Sequence, residues 1–176
     1  MAKAKSSTEG KLRHLNAILR AIRNVNQLIV SENNPSLLIK RSCKLLIEND
    51  GFKNAWIVLY DEKGDFVEAA QAGVGKKFSL LKKRLKEGKK EKCLADAIVS
   101  DGVVQIADPL KTCPECPLHD FDDGRSGASM RLQYDERLYG VLSVSVHHDY
   151  IGDPDEIELL KEVADDLAYA LHNLDL

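Results

Sequence analysis

Residues 131–146 read RLQYDERLYGVLSVSV. Leu132 and Tyr134 alternate with Arg131 and Gln133, and after Asp135-Glu136 a second run sets Leu138, Gly140, Leu142, Val144 and Val146 against Tyr139, Val141, Ser143 and Ser145. Two period-two runs joined by two polar residues predict a β-hairpin with a buried face. Its first strand reaches back through Met130 to Ala128.

Working outward, NAWIVLYDEKGDFVEAAQAG at 54–73 predicts a second hairpin. Its strands run over 55–60 and 66–72 with a turn at 61–64, and Val103 to Ile106 adds a short strand. Two short helices, over 78–87 and 92–99, are separated by Gly88. Leu15, Ile22 and Ile29 lie seven apart, as do Ile18 and Val25, which predicts a helix over 11–30 with a heptad-like seam. Asn34-Pro35 supplies an N-cap and a proline at the first turn for a helix through about Asn49, which Gly51 ends.

The last helix opens on Asp153-Pro154-Asp155-Glu156, a capping-box pattern. Ile157, Leu160, Ala164, Leu167, Leu171 and Leu174 follow at a/d spacing, which points to a partner helix, while Val163, Ala168 and Ala170 widen the stripe toward sheet packing. The expected architecture is α+β. A mostly antiparallel sheet of five to six strands carries the N- and C-terminal helices on one face, and the short helices with a loop over 110–126 wall a pocket on the other.

The 176 residues fit one domain over 11–176 behind a disordered 1–10. A net charge of −3 argues against a nucleic-acid surface, and the basic run from Lys76 to Lys92 reads as a solvated helix face. No stretch has the apolar length of a membrane span or signal peptide, so membrane insertion is not expected and a cytoplasmic location is. In that compartment the four cysteines are not a disulfide framework. Cys43 falls in an apolar helical pattern and reads as core.

Within the loop, residues 113–119 read CPECPLH. Cys113 and Cys116 have a spacing that serves one metal ion or dithiol redox chemistry, and His119 is a third donor. A metal or cluster centre, reversible thiol oxidation, and reduced thiols that only pack all stand open. Arg125 and Arg131 read as anion-binding groups at the pocket or as partners of Asp120, Asp122 and Asp123. His147 and His148, adjacent on a strand end, read as solvated; His14 and His172 read as surface residues on the terminal helices. There is no phosphate loop, nucleophile elbow or HExxH motif.

Together with LRAIRNVNQLIV, GFKNAWIVLYDE and CPECPL, the hairpin quoted above resembles the GAF domain family, which is related to PAS domains. The likeness is to the branch found in bacterial and archaeal sensor histidine kinases and related signalling proteins. It implies a sensory input domain that binds a small ligand, or a metal or redox centre, under the 110–126 loop and relays its state through dimerising terminal helices to a histidine kinase or other effector. The implied pocket residues are Cys93, Cys113, Cys116, Arg125 and Met130. The implied metal set is Cys93, Cys113, Cys116 and His119, suited to zinc and less to an iron–sulfur cluster or haem. Cyclic nucleotide is disfavoured because no Asn-Lys-Phe-Asp-type motif stands here, and bilin because no histidine follows Cys93 or Cys116. The non-enzymatic reading is preferred. The alternative is a cysteine-dependent enzyme like the free methionine sulfoxide reductases, which share this fold.

Overall fold

The computed structural model describes residues 2–112, 114–118 and 125–175. One antiparallel sheet carries the molecule, in the order β2-β1-β5-β4-β3. The strands are β1 (Asn54–Tyr60), β2 (Phe66–Ala72), β3 (Val104–Ile106), β4 (Arg125–Tyr134) and β5 (Arg137–His147). The helices are α1 (Ala2–Ser31), α2 (Pro35–Ile47), α3 (Phe78–Lys86), α4 (Lys92–Val99), α5 (Pro109–Thr112) and α6 (Pro154–Leu174).

Both expected hairpins form. Asp61 accepts from the amides of Lys63 and Asp65 while Gly64 takes φ 83°, and Asp135 and Glu136 both turn left-handed at φ 52° and 69°. Between β1 and β4, strand β5 places Gly140 against Leu59 and Leu132. A Cβ there would lie 2.0 Å from the Val58 carbonyl oxygen, so only glycine allows this approach.

Strand parity divides the core. Ala55, Ile57, Leu59, Ala128, Met130, Leu132, Leu142, Val144 and Val146 face α1, α2 and α6. Trp56, Val58, Tyr60 and Val141 face α3, α4 and the loop. Every residue of β1 is buried, because both faces of the sheet are covered.

Several local features differ from the sequence expectation. The α1 backbone is helical from Ala2, so residues 2–10 of the stretch expected as a disordered tail are part of the helix. Asn34 caps α2 as expected, accepting from the Leu37 amide at 3.2 Å. Gly51 ends that helix for reasons of space rather than backbone angle. A 3-10 turn intervenes, its left-handed residues are Asn49 and Asp50, and a Cβ on Gly51 would meet the Leu46 carbonyl at 2.8 Å.

Asp153 caps α6, accepting from the amides of Asp155 and Glu156, yet Glu156 does not close the reciprocal box. Its buried carboxylate turns to His14 on α1, Nε2 to Oε2 3.1 Å. His14, expected at the surface, is thus largely enclosed, with its ring stacked on Tyr150 at 4.1 Å. His172 is also engaged: its Nδ1 lies 2.7 Å from the Tyr139 hydroxyl. The a/d residues Leu160, Ala164, Leu167 and Leu171 are buried within the chain, among the residues packed between helices and sheet. Among the described residues, no helix is long and apolar enough to cross a membrane.

Candidate ligand cavity beneath the loop

The hairpin that set the fold also makes a hollow. On the face away from the terminal helices, Ser143 and Ser145 of β5 stand beside Ser129 and Gly127 of β4 and opposite Trp56 and Asn54 of β1. Small side chains on two neighbouring strands leave space that larger apolar residues would fill. The result is a cavity of about 80 Å³, walled by Cys93 of α4, Ile106 of β3, Pro109, the loop residues Cys116 and Leu118, and Arg125 at the start of β4. Ser129 and Ser143 satisfy each other across the floor, Oγ to Oγ 2.8 Å.

Cys93 sits in the first turn of α4, and Cys116 comes from the loop, and both are buried at this cavity. Cys113 and His119 lie outside the described residues, as do Asp120, Asp122 and Asp123. Among the described residues no group of three His, Cys, Asp or Glu side chains is gathered to hold a metal ion. Met130, expected at the pocket, lies on the opposite side of the sheet in the helix-facing core. Its parity with Ala128 and Leu132 dictates that placement.

Arg131 is not a pocket group either. It donates to the Ile98 carbonyl at 3.1 Å and pairs with Asp101 at 2.6 Å, tying β4 to the end of α4. His147 and His148 are exposed as expected, both near Asp149. Cys43 is wholly buried in the helix-side core, and burial pushes its thiol pKa up.

Arg84 and Glu91 brace the loop, and neither stood out in the sequence. Glu91 is the residue before α4, and its buried carboxylate receives Arg84 Nε at 2.7 Å. A second nitrogen of Arg84 donates to the Glu115 carbonyl, 3.0 Å away and one residue before Cys116. One guanidinium thereby joins α3, the start of α4 and the loop. Burial raises the Glu91 pKa, and Arg84 opposes that rise. Tyr60 adds a buried phenol whose hydroxyl has no hydrogen-bond partner among the described residues. Burial, then the nearby Cys93, push its pKa up to about 12.

Comparison with known proteins gives the same outline. The GAF domain of a phosphoenolpyruvate-protein phosphotransferase from Coxiella burnetii superposes with a TM-score of 0.68 at 15% identity, covering 90% of this chain and 95% of that one. Free methionine-R-sulfoxide reductase from Neisseria meningitidis, solved with its substrate, gives 0.64 at 18% identity over 90% of both chains. The substrate complex of the Staphylococcus aureus reductase fRMsr gives 0.61 at 15% identity, covering 88% of this chain and 95% of that one. No curated protein sequence matches the chain. A family model described as a GAF domain matches residues 33–172, which takes in every strand and α2 through most of α6, and the chain therefore belongs to the GAF domain family.

Proposed function

We propose that this GAF domain is a sensory input module that takes a small ligand into the cavity beneath the 110–126 loop and relays occupancy through α1 and α6. The observation that carries this reading is the cavity itself, floored by small residues and roofed by a loop that Arg84 pins. Its floor alternates with helix-contacting residues, since Ser143 and Ser145 interleave with Val144 and Val146. A ligand that displaces the floor therefore acts on the residues beneath the helices. Lys11 to Asp153 at 2.9 Å and His14 to Glu156 make the two terminal helices respond together.

Leu12 and Leu19 stand exposed seven residues apart on α1, with Val30 exposed near its end, and we assign that face to a homodimer. The output is a histidine kinase or another effector module, in the cytoplasm. A metal-bearing form of the same pocket would draw on Cys93 and Cys116, with Cys113 and His119 to complete the four ligands that structural zinc prefers.

Native mass spectrometry of untreated protein tests the reading. A non-covalent small-molecule or metal adduct is expected, lost when Ser145→Leu fills the floor. An unoccupied chain that takes up nothing from a cell extract removes it.

The two buried thiols at one cavity, Cys93 and Cys116, favour a second reading, reduction of free methionine sulfoxide. There, two thiols would become a disulfide while the sulfoxide oxygen leaves as water and the thioether remains. An NADPH-coupled thioredoxin assay separates the two readings. Turnover abolished by Cys116→Ser would establish the enzyme.

A further inference from the structure

A second concavity, about 630 Å³, opens in the helix layer between α1, the turn that joins α2 to β1, and the end of β5. On α1, Arg13, Asn16, Ala17 and Arg20 follow one stripe at i, i+3, i+4 and i+7. The turn Asn49-Asp50-Gly51, Lys53, His147 and Tyr150 also line the concavity.

The turn has an unusual shape. Asn49 and Asp50 are consecutive non-glycine residues at φ 58° and 59°, a left-handed backbone that side chains other than glycine adopt uncommonly. Gly51 lies alongside the helix, where an added Cβ would come into ordinary van der Waals contact with the Ala17 carbonyl at 3.7 Å.

Charge identifies what the cleft suits. Among the described residues no carboxylate forms an ion pair with Arg13, Arg20 or Lys53, although all three line it. Two carboxylates also line it: Asp149, already near His147 and His148 at 3.4 and 3.8 Å, and Asp50. Seven residues of helix put the two arginine backbones roughly 10 Å apart along the axis, and Lys53 lines the same cleft. That spacing matches an extended chain of anionic groups better than a single compact anion. The stacked His14 and Tyr150 rings give a flat surface beside the cations.

We infer that this cleft binds a polyphosphate anion, either free or as the tail of a nucleotide, held by Arg13, Arg20 and Lys53. The site lies on the opposite side of the sheet from the loop cavity and does not depend on the function proposed for that cavity. Its occupant would bridge α1 to the sheet.

Titration of the ¹⁵N-labelled chain with inorganic tripolyphosphate and, separately, with ATP, both without divalent metal, tests the inference by NMR. Saturable amide shifts are expected in 13–20, 49–53 and 147–150, with affinity falling as salt rises. R13Q/R20Q should weaken binding at least tenfold, and K53Q should also weaken it. K83Q/K86Q on exposed α3 should leave it unchanged. Tighter binding of ATP with added shifts at Tyr150 assigns the nucleotide source, and equal binding assigns the free polyphosphate. Failure to saturate with either ligand, or affinity unchanged within twofold in R13Q/R20Q and K53Q, overturns the site.

Discussion

Replacing Arg84 by methionine keeps most of the aliphatic stem and removes the group that joins α3, α4 and the loop. Glu91, 5% exposed, then loses its counter-charge. Stripping one partner from a fully buried pair costs about 3–5 kcal/mol, but Arg84 is 32% exposed and solvent screens part of that, which leaves about 2 kcal/mol. The lost donor to the Glu115 carbonyl adds up to about 1 kcal/mol. For a domain of this size, 2–3 kcal/mol corresponds to a drop in Tm of about 4–12 °C.

The pH dependence has a definite sign. The folded pKa of Glu91 is raised, so its neutral form favours the fold, and its contribution declines as pH rises through that folded value. Without Arg84 the pKa rises further. The penalty of R84M should therefore be larger near pH 7 than near pH 5, and R84M/E91Q should recover most of it. Thermal melts at both pH values provide the measurement, together with hydrogen exchange at the Cys116 and Leu118 amides, which should quicken. A Tm within about 1 °C of the parent, or a penalty equal at both pH values, would refute the brace.

Gly140→Ala should cost more than about 3 kcal/mol in urea denaturation, because the new Cβ meets the Val58 carbonyl, and a near-neutral result would contradict the β1–β5 register. Asp153→Ala should cost about 1–2 kcal/mol through the lost cap on the Asp155 and Glu156 amides. Burial works against it, but Lys11 and two amides hold the Asp153 carboxyl below its ordinary range, so its stabilisation is present above the usual carboxylate pKa and fades in acid; acid titration of wild type against D153A measures this. Alkylation followed by peptide mass spectrometry should leave Cys43 unmodified until denaturant is added, since it is wholly buried and its pKa is raised.

The local grammar of the chain was readable where one residue decides one torsion or one hydrogen bond. Asn34, Asp153 and the Asp135-Glu136 turn are of that kind. Alternation also located the strands, but it could not say which of two covered faces a residue joins. Met130 was therefore expected beneath the loop and lies beneath the helices. The a/d spacing of α6 shows that one stripe is buried without saying what covers it, and much of it is covered within this chain. The cavity did leave a signal, in the small residues Gly127 and Ser129 beside Ser145 and Ser143. Reading it required the register between strands far apart in sequence. Arg84 and Glu91, five of whose six intervening neighbours carry charge or are glycine, left none, because a buried ion pair looks like surface charge until the fold encloses it.

The loop's anchor has an evolutionary consequence. Arg84 grips a main-chain carbonyl at Glu115, a group that every amino acid supplies. Substitutions in the roof can therefore vary what the cavity admits while leaving its tether in place. A saturation library should tolerate changes at Glu115 far better than at Arg84.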